Sequence, residues 1–465
     1  MLNITGNKTS NKARIWRPFT QEYTADPGLF IDHAKGAWLY TKEQKPVLDL
    51  ISSWWVNVHG HAHPEIAQAI YQQALKLEQV IFACCSHQPA LDLAERLVAL
   101  LPGALNHVFF SDNGSTAVEV ALKMAFQFWQ NQGKTEKKRF IAFQGGYHGD
   151  TFGAMAAGRS SGFFTPFHNL LFSVDFIDYP ATWDDDPAIE QKEEASLQQL
   201  KKHLEQYAGE TAALIIEPLI QGAAGMRFCR PIFLKRLLHI LQEYQIISIF
   251  DEVMTGFGRT GTLFATEQCC SSKDVSHVHH THIDDHAHVP DIICLSKGLT
   301  GGFLPLSVTV VQEKIYAGFL SKQIDHAFLH GHSYTANPLG CAAACASLNI
   351  FAKESVQEKI HIITATHRQG MESLKTLPLV KNTRVMGAIA ALDLVLPDHA
   401  YGSNFSKILA RNFLQAGLLL RPLGNVLYLM PPYIVTKKEL LSAYAHIKEC
   451  LQSLEEGLVK EDQDI

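Results

Sequence analysis

Short apolar runs alternate with amphipathic stretches through the middle of the chain. Buried parallel strands are continuously apolar, whereas amphipathic helices repeat their apolar residues with the helical period. Helical spacing is found over residues 65–77, 90–101 and 116–130. The strand-like runs cover residues 108–110, 140–143, 213–216, 246–250, 291–295 and 306–311. Strands that alternate with helices in this way predict a mostly parallel sheet with helices on both faces.

The two ends of the chain show a different pattern. Residues 29–51 alternate apolar and polar side chains around a polar turn at 41–45, which predicts a small antiparallel hairpin. From about residue 340 onward, helical stretches mix with short strand-like runs such as 388–394. A chain of 465 residues is long enough for one large α/β domain with a smaller second domain.

Composition and charge narrow the class of protein. Hydrophobic residues make up 47% of the chain and charged residues 18%, as in globular proteins. The net charge of −6 and the lack of a long basic block argue against a nucleic-acid partner. No apolar stretch is long enough to cross a bilayer, the N-terminus lacks the apolar core of a signal peptide, and the nine cysteines show no C-x-x-C spacing. We therefore expect a cytoplasmic protein without membrane contact.

Lys297 follows one of the apolar runs and precedes a glycine. Open α/β sheets bind ligands beyond the carboxyl ends of their strands, so the amine would stand at the mouth of a pocket. Partial desolvation lowers the pKa of a lysine there and frees its neutral amine to form a Schiff base with a carbonyl group. The structural alternative is a lysine that ends a strand and extends its amine to water.

A second apolar run, residues 246–250, leads into the carboxylate of Asp251. A lysine Schiff base is useful only beside a group that withdraws electrons, and pyridoxal phosphate does so while an aspartate keeps its ring nitrogen protonated. Asp251 fits that role, although an aspartate at a strand end can also cap the next helix. Together Lys297 and Asp251 predict a pyridoxal phosphate site.

A candidate phosphate site lies between the strand-like run at 108–110 and the helical stretch at 116–130. The first amides of a helix lack partners within it and attract anions. Gly114 lets the backbone approach a phosphate, and Ser115 can add its hydroxyl. The same residues also fit ordinary helix capping.

Aromatic residues and an arginine complete the candidate chemistry. Two glycines precede Tyr147, so its ring can stand clear of the backbone and stack on a flat cofactor. Trp54 and Trp55 form either a pocket wall or a core aromatic pair. Arg421 follows an apolar run, and its guanidinium suits either a substrate carboxylate or a plain salt bridge.

Histidines crowd among acidic residues between positions 271 and 288. Clusters of this kind can bind zinc or nickel, but these histidines do not follow a defined ligand spacing. We predict a surface insertion there and no metal site. The histidines are His277, His279, His280, His282, His286 and His288.

Taken together, these motifs resemble the class III, fold-type I pyridoxal-phosphate-dependent aminotransferases. The resemblance extends from residue 16 to about residue 433. It implies an α/β large domain with a mostly parallel sheet between helices, here residues 66–339, and a smaller α+β domain built from both chain ends, here residues 1–65 and 340–465. It also implies a homodimer with shared active sites. The motifs that carry it are residues 114–115, 147–150, 251–261 and 296–298.

The resemblance implies roles for the cofactor-binding residues. Lys297 would form the Schiff base with pyridoxal phosphate and move the proton in catalysis. Asp251 would pair with the pyridine nitrogen and Tyr147 would stack on the ring. The phosphate would be held by Gly114 and Ser115, and from the partner subunit by His332 and Ser333.

Four further stretches, residues 15–20, 52–55, 144–155 and 421–433, resemble the members of this family that serve biotin biosynthesis. In those members S-adenosylmethionine donates the amino group and the long keto acid 8-amino-7-oxononanoate accepts it. Arg421 would hold the carboxylate of the keto acid. The substrate pocket would be lined by Phe19, Trp54, Tyr147, Lys297 and Gly331.

Two features leave other substrates open. A tyrosine whose hydroxyl helps to recognise substrate often stands at the position of Phe19, and Phe19 together with residues 330–334 also resembles relatives that take the amino group from lysine. The same fold also serves ω-amino acid transaminases that act on ornithine or 4-aminobutyrate. A third possibility is a catalytically silent, pyridoxal-binding sensor or interaction protein, against which the retention of Lys297 and Asp251 argues.

Overall fold

The computed structural model describes residues 14–270, 289–396 and 404–463. Within these ranges the strands are β1 Ile31–Lys35, β2 Trp38–Thr41, β3 Pro46–Asp49, β4 Leu105–Ser111, β5 Arg139–Phe143, β6 Asp175–Ile177, β7 Thr211–Ile216, β8 Ile220–Gln221, β9 Arg227–Phe228, β10 Ile247–Asp251, β11 Ile292–Leu295, β12 Ser307–Gln312, β13 Val380–Met386, β14 Ile389–Leu394, β15 Leu418–Leu419 and β16 Val426–Leu429.

Helices cover much of the remaining described chain. They are α1 Ser52–Trp55, α2 Pro64–Ala74, α3 Gln88–Leu100, α4 Gly114–Asn131, α5 Phe152–Ala157, α6 Ile189–Tyr207, α7 Pro231–Glu243, α8 Thr266–Cys270, α9 Glu313–Ala317, α10 Pro338–Lys353, α11 Val356–Leu374, α12 Asn404–Gln415 and α13 Lys437–Gln463. In the described part of the chain, no helix combines the length and the apolar character that crossing a membrane requires.

A seven-stranded sheet forms the centre of the large α/β region, in the order β4-β12-β11-β10-β7-β5-β6. Strand β12 runs antiparallel to both of its neighbours, and the pairs from β11 to β6 are parallel. Every residue of β7, β10 and β11 is buried, because helices cover both faces of the sheet. The predicted mostly parallel α/β sheet is confirmed.

The start of α4 is fixed by a capping box. The side chain of Asn113 accepts a hydrogen bond from the Thr116 amide at 3.0 Å, and the Thr116 hydroxyl accepts one from the Asn113 amide at 3.2 Å. These reciprocal bonds satisfy amides that a helix start leaves without partners. The helix therefore begins at Gly114, directly after β4, and its first turn faces the carboxyl ends of the parallel strands.

A second, four-stranded sheet joins the two ends of the chain. Strands β1, β2 and β3 form an antiparallel meander in place of the simpler predicted hairpin, and β15 runs parallel to β3 with Leu418 opposite Leu48. Strands β13, β14 and β16 form a third sheet. This pairing is consistent with a small domain built from both ends, while the boundaries 1–65, 66–339 and 340–465 stay a prediction. The histidine-rich stretch 271–288 lies outside the described residues.

Candidate active site

A cavity of about 760 Å³ opens at the carboxyl ends of the parallel strands. This is the edge where open α/β sheets bind their ligands. Nine residues singled out from the sequence line it, although they come from distant parts of the chain. They are Phe19, Trp54, Trp55, Gly114, Ser115, Tyr147, Asp251, Lys297 and Arg421.

Lys297 lies two residues beyond the end of β11. Its Nζ is 5.4 Å from the centroid of the Trp55 ring, inside the cavity wall. Removal from water lowers the pKa of Lys297, and the negative charges of Asp251 and Glu217 oppose this shift only in part. The site therefore favours a neutral amine more than water does, as a nucleophilic lysine requires.

Asp251 ends β10, the strand adjacent to β11. One of its carboxylate oxygens, Oδ2, lies 2.7 Å from Nδ1 of His148, and the other accepts a hydrogen bond from the Val253 amide at 3.1 Å. Both Asp251 and His148 are buried. An ionised carboxylate only accepts hydrogen bonds, so Nδ1 of His148 is the donor. The carboxylate is thus fixed by two donors at the floor of the cavity.

Tyr147 is held by two carboxylates. Its amide donates to Oε1 of Glu217 at 3.0 Å, and its hydroxyl donates to Oδ1 of Asp150 at 3.0 Å. Glu217 also accepts the Gly222 amide at 2.9 Å, and burial raises the pKa of Glu217 to about 7. Burial likewise raises the pKa of Tyr147, so its hydroxyl stays protonated.

Glu217 and His148 are site residues to which sequence reasoning assigned no role. Glu217 follows β7, the parallel neighbour of β10, so the sequence did carry a signal for it: a carboxylate at a strand end, like Asp251. His148 carried no such signal. Its contact with Asp251 joins residues that are 103 positions apart, and it depends on how the loop after β5 folds over the sheet.

The predicted phosphate site has the tight geometry that glycine allows. A side-chain carbon added at Gly114 would come within 2.5 Å of Cγ1 of Val253, and one at Gly149 would collide with Ser115. The Ser115 hydroxyl accepts the Thr151 amide at 2.9 Å and lies 2.8 Å from Oγ1 of Thr151. Glycine at positions 114 and 149 thus allows close packing around the first turn of α4, where Gly114 and Ser115 line the cavity.

Arg421 lies against the pocket aromatics. Its guanidinium carbon is 4.8 Å from the centroid of the Trp54 ring, and that ring is 5.5 Å from the ring of Phe19. A guanidinium that lies over an aromatic face keeps its N–H groups in its own plane, where they can bind a carboxylate. The alternative in which the tryptophans form only a core pair is excluded, because Trp54 and Trp55 both line the cavity.

The loop that contains Gly331, His332 and Ser333 does not line this cavity. Gly331 and Ser333 are exposed, and the His332 amide donates to Oγ1 of Thr335 at 3.0 Å. Among the described residues, Nε2 of His332 has no hydrogen-bond partner although it is buried. Within this chain, therefore, Gly331, His332 and Ser333 do not join the other predicted site residues at the cavity.

The sequence profile of the family described as aminotransferase class-III matches residues 20–451, nearly the whole chain. The chain belongs to the class-III aminotransferases. A relative from Synechococcus elongatus, named adenosylmethionine-8-amino-7-oxononanoate aminotransferase, is 50% identical over 440 residues, which cover 95% of this chain and 99% of the relative. A relative of the same name from Geobacter sulfurreducens is 39% identical, over 92% of this chain and 94% of its own length.

Solved structures of class-III aminotransferases share this fold. The crystal structure of adenosylmethionine-8-amino-7-oxononanoate aminotransferase from Methanocaldococcus jannaschii is 34% identical, with a TM-score of 0.85 over 95% of this chain and 97% of that one. An omega transaminase from Pseudomonas jessenii in complex with PMP is 26% identical, with a TM-score of 0.82 over 94% and 96% of the two chains.

Class-III aminotransferases use pyridoxal phosphate, and the residues of the site fit this cofactor. The cavity contains an amine with a lowered pKa, a buried carboxylate fixed by His148, and a helix start that contributes Gly114 and Ser115 to the lining. Lys297 would bind the aldehyde of the cofactor, Asp251 its ring nitrogen, and the first turn of α4 its phosphate.

Proposed function

We propose that the chain transfers the amino group of S-adenosylmethionine to 8-amino-7-oxononanoate and so makes 7,8-diaminononanoate for biotin biosynthesis. The observation that supports this most is the relative named adenosylmethionine-8-amino-7-oxononanoate aminotransferase, which is 50% identical over 95% of this chain. The cavity supports it independently, since Arg421 and two tryptophans line the space beside Lys297 and would suit a long acid with a carboxylate at one end.

Each half-reaction requires the chain to move one proton and to control charge. When bound, pyridoxal phosphate supplies the ring that takes up electrons from the substrate carbon. Lys297, whose lowered pKa favours the neutral amine, would take the proton from that carbon and give it up again later in the same half-reaction. Asp251 would keep the ring nitrogen protonated, and the hydrogen bond from His148 would hold its carboxylate in place.

Arg421 and the aromatic side chains would select the keto acid. The Arg421 guanidinium would bind its carboxylate, while Trp54 and Phe19 would cover its hydrocarbon chain. The Tyr147 ring would shield the reacting carbon from water, held in place by Glu217 and Asp150.

Stepwise spectroscopy of the purified protein tests the proposal. The yellow enzyme should bleach with S-adenosylmethionine, recover its colour with 8-amino-7-oxononanoate, and yield 7,8-diaminononanoate by mass spectrometry. Bleaching by lysine but not by S-adenosylmethionine would assign lysine as the donor, in keeping with Phe19. If ornithine or 4-aminobutyrate is the only effective donor, the biotin-pathway assignment is wrong. A protein that binds the cofactor but bleaches with no donor is the silent sensor.

We also propose a homodimer in which His332 and Ser333 of each chain complete the phosphate site of the other. The exposure of Gly331 and Ser333, and the Nε2 of His332 that has no hydrogen-bond partner among the described residues, support this arrangement. The location that we propose is the cytoplasm, in keeping with nine cysteines that are all described and none of which forms a disulfide.

Mixed dimers test the sharing of active sites. His332→Ala should lose most of its activity, as Lys297→Ala should. When the two inactive variants are refolded together, a hybrid dimer would contain one site with both native residues, and activity should return. If His332 acts within its own chain, each hybrid site stays defective and no activity returns. His332→Ala with native activity would refute its role outright.

A further inference from the structure

A strained turn carries the two tryptophans of the pocket. In α1, which spans Ser52–Trp55, φ is 49° at Ser52, 60° at Ser53 and 67° at Trp55. Non-glycine residues rarely adopt positive φ, and three of them within four positions require surrounding contacts that hold the backbone in place. Such strain is typical of functional sites, so the contacts that hold this turn are themselves candidates for a role.

Asp49, the last residue of β3, holds the turn from one side. Its Oδ1 accepts the Ile51 amide at 3.1 Å, and its Oδ2 accepts the Ser53 amide at 2.7 Å. Nε2 of His61 lies 2.9 Å from the same Oδ2 and donates to it. Asp49 is fully buried, and neither Asp49 nor His61 lines the cavity. Their contact with the site therefore runs through the backbone of the turn.

Arg259 holds the turn from the other side. Its guanidinium is buried and donates to the carbonyl oxygens of Trp55 and Asn57, each at 3.2 Å, and to that of Pro431 at 3.1 Å. The Ser52 hydroxyl also donates to a carbonyl of the chain's C-terminal part. The turn is thus clamped between an anionic and a cationic side chain.

The clamped turn presents a different ring to each of two cations in the cavity. Trp54 lies against Arg421 at 4.8 Å, and Trp55 lies against Lys297 at 5.4 Å, ring centroid to cation. The Trp55 indole also donates to the Tyr428 hydroxyl at 3.0 Å. Because Trp54 and Trp55 are adjacent in this turn, a change in its backbone conformation would displace both rings relative to the two cations.

We propose that Asp49, assisted by His61, is a positioning residue for the transamination: it fixes the strained turn so that Trp54 and Trp55 face Arg421 and Lys297. This inference rests on the proposed function only where it assigns Trp54 and Arg421 to the keto acid. The part of the inference that concerns Trp55 and Lys297 depends only on the geometry of the turn. Asp49 touches neither cofactor nor substrate.

Asp49→Asn tests the inference, because an amide keeps the size of the carboxylate but cannot accept from Ile51, Ser53 and His61 together. We expect KM for the keto acid to rise by about tenfold, the equivalent of one lost hydrogen bond, with kcat changed much less. The pH midpoint of the visible spectrum of the holoenzyme should also shift, since Trp55 moves from Lys297.

Asp186→Asn is the matched control. Asp186 is a buried carboxylate that accepts an amide two residues ahead, from Ala188 at 3.0 Å, just as Asp49 accepts from Ile51. It lies outside the cavity lining. If Asp49 contributes only to stability, both variants should lower Tm, and both should keep the native KM and the native spectral midpoint. That outcome for Asp49→Asn would overturn the inference.

Ser53→Gly separates strain from simple loss of structure. Glycine adopts positive φ more readily than serine does. In the double variant Asp49→Asn with Ser53→Gly, KM for the keto acid should therefore return part of the way to its native value. If Asp49→Asn does not fold, His61→Ala removes one contact to the same carboxylate and should change KM in the same direction by a smaller factor. A native KM in folded His61→Ala would then refute the inference.

The cofactor-free protein gives a readout that does not depend on activity. The near-ultraviolet circular dichroism that Trp54→Phe removes reports the setting of the turn, and Asp49→Asn should alter that same component while Asp186→Asn leaves it unchanged. If the native enzyme rejects 8-amino-7-oxononanoate, the proposed function fails. The positioning role is then judged by this signal and by KM for whichever keto acid the native enzyme accepts.

Discussion

Nδ1 of His148 lies 2.7 Å from Oδ2 of Asp251, and both side chains are buried beneath the cavity. This hydrogen bond orients the carboxylate of Asp251, and its second oxygen accepts a hydrogen bond from the Val253 amide. An aspartate held in this way can stabilise a protonated ring nitrogen, whereas an asparagine at the same position carries no charge to do so.

Asp251→Asn should therefore lower kcat by about a hundredfold or more, which is the effect expected when a group that controls proton transfer is lost. The yellow colour should persist, because Lys297 still binds the cofactor. His148→Gln should have a smaller effect, since Gln can donate one hydrogen bond to Asp251. Steady-state kinetics together with visible absorption measure both effects. A native kcat in Asp251→Asn would show that the carboxylate plays no part in the reaction.

The lowered pKa of Lys297 predicts a specific dependence of stability on pH. In the cofactor-free protein, the unfolded chain binds a proton at Lys297 that the folded chain has lost, from the lowered pKa up to the ordinary value of 10.5. Folding stability contributed by this group therefore rises with pH through that window. The burial of Lys297 costs about 1.4 kcal/mol for each unit by which its pKa is lowered.

Lys297→Met removes that cost. The cofactor-free variant should unfold at higher denaturant concentration than the native chain below the window, and the difference should shrink as pH approaches 10.5. Urea unfolding at a series of pH values measures it. Lys76→Met is the control, because Lys76 is exposed and forms no ion pair with the described residues. A constant difference across the pH range would contradict the lowered pKa.

The sheet and much of the site were predictable from the sequence because both depend on local patterns. Apolar runs marked β7, β10 and β11, and the residues at the ends of parallel strands meet at one edge, so Asp251 and Lys297 had to lie close together. The comparison with known families confirms this class of protein.

The parts that sequence reasoning missed depend on long-range contacts. The hydrogen bond of His148 to Asp251, the clamp of Arg259 on the turn at Ser52–Trp55, and the pairing of β15 with β3 join segments that are far apart in the chain. The local spacing of apolar residues carries no information about such contacts. The meander at the N-terminus differs from the predicted hairpin for a local reason, because β1 pairs with β2 across a tight turn of only Gly36 and Ala37 in addition to the turn that was predicted.

Arg421→Ala should weaken binding of the keto acid while leaving the cofactor in place. A hydrogen bond between charged groups contributes roughly 1.5–3 kcal/mol, so KM for the keto acid should rise by about ten- to a hundredfold. The half-reaction with the amino donor, measured by bleaching, should proceed at its native rate. Arg411→Ala is the control, because Arg411 is half-exposed and pairs with Asp26 instead of lining the cavity. An unchanged KM would refute the role of Arg421.

Gly114→Ala should reduce affinity for the cofactor. The new methyl carbon would lie 2.5 Å from Cγ1 of Val253, whose branched side chain has little freedom to move, so the first turn of α4 must shift. That shift displaces the amides proposed to hold the phosphate. Because each such bond to a charged group contributes roughly 1.5–3 kcal/mol, we expect Kd for pyridoxal phosphate to rise about tenfold or more.

A second substitution distinguishes this steric effect from other consequences of changing Gly114. Val253→Ala removes the atom that the new methyl group meets, so the double variant Gly114→Ala with Val253→Ala should regain most of the lost affinity. Gly209→Ala is the control, because a carbon added at Gly209 has no atom within 4 Å. Titration of each cofactor-free variant with pyridoxal phosphate gives Kd directly. If Gly114→Ala binds like the native chain, then the start of α4 does not hold the phosphate, and that part of the proposed site must lie elsewhere.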